Sequence, residues 1–430
     1  MPRVKTFSRG GILLDSFRSL TGSRPIQDLF LPSLAVVPLV QYPGARAEWV
    51  VEAGEAVAEE QILARGPRPG DLPVHSPIPG RIVEFRELTL PGGTVSSAAL
   101  IRLEGEFRRT GRPSFKKQWA LVGDAEIRER ISNAGIYLSS SPLDPRRTLE
   151  GLAPTLEALV VNALQPEPYL TLSHHLQQER AEDLAEGVRI LQKLFRPQRT
   201  EFVSDPESPE EWTRTFSALL DGVGLHTLEF KYPQAQEGLL LQTIGIKVAP
   251  GMAHRVLVLD AASVLAVRDA VIEAKPQVEV TVVVTGRGVM QPGAYRVRIG
   301  TPLVQLLKDA GGLAPGEHKI LVGGPFQGKD VDHLSTPVLK STQAVLVLDK
   351  AEVNQAAQRP CIRCGLCVDS CPVGLEPLNL HKALVQGNIG LARDEGLAFC
   401  IECGICSFVC PSRIPLVAEF QDAKEASRGL

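Results

Sequence analysis

The sequence predicts a multidomain chain of α/β plus α+β character, with four units in series. Three observations carry that expectation. Residues 30–105 break into short strand-like runs between glycine and proline turns. Residues 120–275 alternate helix and strand signals, and all 8 cysteines fall in one C-terminal stretch. A length of 430 residues fits several domains at about 100–200 residues each. The expected divisions are 1–118, 119–276, 277–350 and 351–430.

In the first unit, residues 36–40, 48–51, 61–64 and 81–85 read as strands between turn signals. The cadence from Val51 through Gly54 and Val57, then His75-Ser76-Pro77 to Gly80, is that of a lipoyl or biotinyl hammerhead. Gly54 and Gly80 are expected at its tight turns. A carrier domain places a lysine at a hairpin tip, and residues 72–77 contain none. The unit is therefore read as a barrel-sandwich hybrid with a structural role.

In the second unit, residues 125–134, 172–195 and 263–274 read as helices, and 156–162, 201–204 and 255–260 as buried strands. That alternation argues for a mostly parallel sheet. His174 and His175 have no partner at metal-ligand spacing and are read as a pair on a helix surface. In the third unit, strands at 278–285 and 293–299 precede a short helix at 301–310 and strands at 319–323 and 344–348, a β-grasp order. Gly323-Gly324-Pro325 reads as a tight turn at a strand end.

The fourth unit carries the chemistry. Cys361, Cys364, Cys367 and Cys371-Pro372 repeat as Cys400, Cys403, Cys406 and Cys410-Pro411. Each run is C-x2-C-x2-C-x3-C-P, the spacing of two-cluster ferredoxins, in which the fourth cysteine of each run ligates the other cluster. One [4Fe–4S] cluster is thus assigned to Cys361, Cys364, Cys367 and Cys410, the second to Cys400, Cys403, Cys406 and Cys371. Disulfide frameworks scatter cysteines through small secreted domains, and zinc favours paired C-x2-C units. Neither fits runs of four. One helix is expected across 377–397, then a charged tail. The whole reads as a helical two-cluster ferredoxin module.

A net charge of −3 gives no reason to expect nucleic acid as a partner. No apolar run reaches the roughly 18 residues of a membrane span, and the first residues carry no signal-peptide core.

The order of parts resembles the C subunit of the Rnf complex, an ion-translocating ferredoxin:NAD oxidoreductase. The resemblance spans nearly the whole chain. It runs through Lys5-Thr-Phe-Ser-Arg-Gly10-Gly11-Ile12, Asn162 to Tyr169, Lys231-Tyr232-Pro233-Gln234, Thr285-Gly286, Gly300-Thr301-Pro302, Gly323-Gly324-Pro325 and Pro360 to Pro415. It implies an α/β unit like the flavin-binding subunit of respiratory complex I, holding FMN and NADH, and a β-grasp unit of the soluble-ligand-binding (SLBB) type. It implies Glu167 and Lys231 as residues of the FMN/NADH region. It also implies partners among the other Rnf-type subunits, both membrane and ferredoxin-like, and a peripheral place on the cytoplasmic side of the cell membrane.

Three departures fall on that flavin and NADH region. The family's G-x-G-G-x-x-F-P loop is here Gly135-Ile136-Tyr137-Leu138-Ser139-Ser140-Ser141-Pro142, with bulk at Tyr137 and Leu138 where a phosphate needs bare backbone N–H groups. The N-x-x-E-C-E-P-Y motif reads Asn162-Ala163-Leu164-Gln165-Pro166-Glu167-Pro168-Tyr169, and Ala235 stands where K-Y-P-Q-G has its last glycine. These changes argue against FMN and against NAD(H). The expected function is an electron-transfer subunit relaying electrons through two [4Fe–4S] clusters, with no catalytic side chain. The alternatives are a docking or assembly adaptor whose clusters another subunit's flavin feeds, and a stand-alone cytosolic iron–sulfur flavin reductase.

Overall fold

The computed structural model describes residues 4–22, 24–68, 70–105, 118–140, 149, 152–207, 216, 218–220, 222–249, 251–316, 318–353 and 357–428. The first strands form two small antiparallel sheets. One runs in the order Leu34–Pro38, Val95–Leu103, Gly80–Thr89, Ala56–Val57, and the other Glu48–Trp49, Ile62–Arg65, Val74–His75. Ala35, Val37, Leu63, Ile78, Ile82 and Ile101 fill the space between them with no exposed surface. Gly54 turns at φ 86, as the sequence suggested. Gly80 does not turn: it lies inside a strand, where a Cβ would strike the Arg102 carbonyl.

The second unit is a parallel sheet ordered Val223–Thr227, Arg199–Ser204, Ala158–Asn162, Val256–Asp260. Ala158–Asn162 and Val256–Asp260 are buried along their whole length, which explains their continuous apolar runs. Helices Asp124–Asn133, Leu172–Glu179, Ala181–Phe195 and Ala261–Glu273 contribute to the larger core, with Leu159, Val161, Leu191 and Val271 at its centre. The single helix expected over 172–195 is two, broken at Arg180 (φ −130, ψ 32). Arg180 leaves the helical path to pair with Asp183 and Asp269. His174 and His175 are not on a surface: they are 9% and 0% exposed. Burial, with Arg18 adding to it, lowers both to about 4.

The β-grasp sheet has six strands, ordered Lys329–Asp330, His318–Val322, Ala344–Asp349, Glu279–Thr285, Gly293–Arg298, Gln27–Asp28. The helix Leu303–Asp309 contributes Leu303, Leu306 and Leu307 to its core. Its last strand comes from the N-terminal segment, which also pairs Ile12–Leu13 with Lys231–Tyr232 and Lys5 with Leu228. One stretch of chain thus stitches the units together. The cluster module packs helices Pro377–Val385, Ile389–Asp394 and Leu416–Arg428 around Leu380, Leu397 and Phe420. The single helix expected over 377–397 breaks after Gly387 (φ 69), where Asn388 caps the next helix through Leu391 N. The tail is no solvated charge run: it is a helix with Phe420 1% exposed. Among the described residues no helix is long and apolar enough to cross a membrane.

Candidate metal centre

The two cysteine runs fold alike, and the reason is local. Three ligands packed this closely require the chain to curl tightly, which needs left-handed backbone. Arg363 and Glu402 both adopt φ 55. Their N–H groups donate to the Sγ atoms of Cys361 and Cys400 at 3.4 Å. Gly365 (φ 80) and Gly404 (φ 79) then open the short helices Leu366–Asp369 and Ile405–Phe408, which carry the chain to the fourth cysteine. Leu375 N donates to Cys371 Sγ at 3.3 Å. Such N–H···S bonds help set a cluster's potential.

Beyond these local turns the runs cross. The Cys367 thiol is raised by burial and by its neighbours Cys364 and Cys410, one from each run. Cys403 is pushed up to about 12 by burial, with Cys400 and Cys371 beside it. Cys406 is raised further by burial and the proximity of Cys403 and Cys400. Thiols crowded this way resist ionising alone, whereas a cationic iron–sulfur core reverses that preference. A cavity of about 20 Å³ opens among Cys371, Cys400, Cys403 and Cys406. Among the described residues no three His, Cys, Asp or Glu side chains converge on a single-ion site, as zinc demands. An all-thiol donor set spread around a cavity fits a cluster.

The second run is pressed against the body of the protein. Tyr232 donates its hydroxyl to the Cys403 carbonyl at 2.6 Å. Its ring stacks on Phe326 at 4.3 Å, and Phe326 meets Phe408 edge-on at 5.2 Å. The end of the first run is held as well: Gly11 N donates to Ser370 O at 2.9 Å, while a Cβ on Gly10 would fall 2.5 Å from the Cys371 carbonyl oxygen. From the other side, Lys424 of the C-terminal helix donates to the Cys400 carbonyl at 2.6 Å and pairs with Glu402 at 2.7 Å.

Ligands of open parallel sheets bind beyond the strands' C-terminal ends, and here those ends are occupied by the chain itself. Asn162 donates to the carbonyls of Ser140 and Ala235, both at 2.9 Å. Asp260 accepts from Ser139 Oγ at 2.7 Å and Gln343 at 2.8 Å. Gln165, where the family motif has a carboxylate, and Asp205 both bind the buried Arg18 guanidinium, at 3.1 and 3.0 Å. The cavity left beside Ser140, Asn162 and Asp260 is about 10 Å³. A larger one of about 110 Å³ lies beside Arg180, Lys275 and Lys340, whose charges are engaged by Asp269, Glu279 and the carbonyls of Pro73 and Gly135. Among the described residues, both openings fall below the roughly 300 Å³ usual for a small-molecule site. Tyr137 and Leu138, expected to obstruct FMN, are instead buried in the body, with Tyr137 stacked on Tyr42. Closure comes from Ser139, Ser140 and the N-terminal segment. Ser141 and Pro142 lie outside the described residues.

The two residues proposed for that region face other tasks. Glu167 is 1% exposed and accepts from Phe326 N at 2.8 Å. Burial raises it to about 7, against the pull of the Phe326 and Gln327 N–H groups. Gly324 has no room for a Cβ because Glu167 fills that space. Lys231 donates to the Phe7 carbonyl at 3.1 Å and sits over the Phe7 ring. Sequence reasoning missed Arg18 and the Tyr232–Phe326–Phe408 contact, since neither has a signal in local spacing.

Residues 6–106 match the RnfC barrel sandwich hybrid domain, 281–330 the SLBB domain and 360–415 the 4Fe-4S dicluster domain. The C subunit of the ion-translocating oxidoreductase complex of Rhodobacter capsulatus is 33% identical over 435 residues, covering 98% of this chain and 83% of that one. The C subunit of the Klebsiella pneumoniae complex is 32% identical, covering 96% of this chain and 56% of that one. Among solved structures, an NAD+-reducing [NiFe]-hydrogenase in the H2-reduced state has a TM-score of 0.49 at 16% identity, covering 76% of this chain and 68% of that one. With a doubled thiol module docked on a barrel-sandwich, α/β and SLBB body, the chain belongs to the C-subunit family of ion-translocating oxidoreductase complexes, as an iron–sulfur electron-transfer subunit.

Proposed function

We propose that this chain relays single electrons through two [4Fe–4S] clusters within an Rnf-type complex, between a soluble carrier on the NADH or ferredoxin side and the membrane subunits. It sits peripherally on the cytoplasmic side of the membrane, attached through other subunits. The clusters, when bound, supply one-electron redox chemistry. Cys361, Cys364, Cys367 and Cys410 hold one, and Cys400, Cys403, Cys406 and Cys371 the other. The cavity ringed by Cys371, Cys400, Cys403 and Cys406 is the observation that carries this reading. Tyr232 and Lys424 fix the second run by holding its carbonyls. The units divide at 118/119, 276/277 and 350/351.

The closed sheet edge favours a relay that takes electrons already split into single equivalents. Glu167 and Lys231 then serve to hold the Phe326 loop and the N-terminal segment in place of a nucleotide. Iron, acid-labile sulfide and flavin are to be counted per chain in anaerobically purified protein. About eight iron atoms with no flavin is the expected result. Stoichiometric FMN with NADH-dependent bleaching overturns the flavin-free reading, and four or fewer iron atoms overturns the two-cluster reading.

A further inference from the structure

The cluster assigned to Cys400, Cys403, Cys406 and Cys371 is the more deeply set of the two. Cys371 and Cys403 are buried and none of the four is fully exposed, whereas Cys361 and Cys364 of the other set are exposed. A cluster held by four thiolates is anionic and takes a further negative charge on reduction, so burial alone works against reducing it. The neighbourhood of Cys400 supplies the opposite charge. Lys424 donates to the Cys400 carbonyl at 2.6 Å and to Glu402 Oε1 at 2.7 Å, with its side chain 17% exposed. Packing one turn back holds it there: Phe420, on the same helix face, is 1% exposed, and Ala423 is buried.

The first run has no counterpart to this lysine. Arg363 stands where the second run has Glu402. The residue as far past Cys371 as Lys424 is past Cys410 is Val385, an exposed apolar side chain. Arg9 reaches the Gly374 carbonyl at 3.4 Å, but it is exposed, where solvent and salt screen its charge. Tyr232, at the Cys403 carbonyl, brings a hydroxyl dipole and no charge. Among the described residues, Lys424 is the cation that is both shielded from solvent and bonded to a ligand residue of this cluster.

We propose that Lys424 sets the reduction potential of the second cluster: seated on Cys400, its ammonium offsets part of what burial imposes on reduction, and Glu402 opposes it. The proposal rests on the two-cluster reading above. One electron enters the cluster from a reduced donor, which is oxidised as the cluster is reduced, and no bond or proton changes place. A unit charge at close range, partly shielded from water, acts strongly on a redox centre, and the paired carboxylate acts with the opposite sign. Removing either charge breaks the same ion pair, yet the two removals move the potential in opposite directions.

The test uses the full chain, purified anaerobically and poised with redox mediators, with each cluster's reduced fraction read by electron paramagnetic resonance. The signal lost in Cys371→Ser marks the second cluster. In Lys424→Met the reduced-to-oxidised ratio of the second cluster at a fixed poise is expected to fall at least about tenfold, a shift of about 59 mV for a one-electron couple. In Glu402→Gln it is expected to rise at least about threefold. Glutamine is tolerated at position 402, because Arg363 holds the same left-handed backbone in the first run. Lys424→Arg keeps the charge and stays within about twofold of the wild type, as does the first cluster in every variant. An unchanged second-cluster ratio in Lys424→Met overturns the proposal. So does a fall in both Lys424→Met and Glu402→Gln, the result expected of an ion pair that is merely structural. Should Lys424→Met lose its iron, Glu402→Gln decides: a rise supports the proposal, and an unchanged or lowered ratio overturns it. A wild type with a single reducible cluster overturns the two-cluster reading beneath, which separates the two failures.

Discussion

At Glu167 a buried carboxyl group does the work that a loop of repeated glycines cannot do alone: it holds Phe326 and Gln327 over the second cysteine run. Its folded pKa, about 7, exceeds its unfolded value, so the folded protein carries the extra proton between about pH 4.5 and 7. The group therefore favours folding at low pH, and that contribution fades as pH rises through 7. The difference is on the order of 3 kcal/mol. Denaturant titrations at about pH 5.5 and 7.5 should show the wild type losing on the order of 2 kcal/mol more than Glu167→Gln over that step. Parallel losses would mean the carboxyl ionises in its ordinary range. A second residue-scale expectation concerns the crossing of ligands. Cys371→Ser should perturb the cluster held by Cys400, Cys403 and Cys406, and leave the other intact by electron paramagnetic resonance. Loss of the first cluster's signal instead would reverse the assignment.

The cysteine runs and the Rnf resemblance were legible in the sequence because ligand spacing is a local property. Elements were legible where pattern and packing agree, as in the buried strands Ala158–Asn162 and Val256–Asp260. They were misread where a distant partner overrides the local pattern. The 172–195 helix breaks at Arg180 because Asp269, far along the chain, draws the guanidinium aside. His174 and His175 look solvent-facing by composition, yet lie buried, with Gly22 of the N-terminal segment packed near His174. The tail looks like solvated charge, but Phe420 sets one helix face into the cluster module. Phe420→Ala should cost about 3–5 kcal/mol and release iron sooner under mild denaturant, measured as decay of cluster absorbance. An unchanged decay rate would leave the helix peripheral.

Across the whole molecule, the N-terminal segment ties the SLBB sheet, the α/β sheet edge and the cluster module into one body. Gly10 is its tightest point: φ is 60 and the Cys371 carbonyl stands where a Cβ would go. Gly10→Val should loosen the cluster module without unfolding the barrel-sandwich. Hydrogen exchange is expected to rise at residues 366–375 and stay unchanged at residues 95–103. Equal protection in both regions would show that the segment is not a structural tie. The same architecture hid the closed sheet edge from sequence reasoning, because Arg18 reaches Gln165 and Asp205 only once distant segments are brought together.

The bond from Gly11 to Ser370 also sets an order of events during synthesis. The segment around Gly11 is made well before Ser370 and must wait for it. Until then Ile12 and the face of Tyr232 that meets Cys403 and Ile405 have no final packing, while domains already made can fold as units. Such long-range closure is slow. Final docking of the thiol module is therefore a late step, leaving an interval in which the cysteines remain open to the machinery that delivers iron and sulfide.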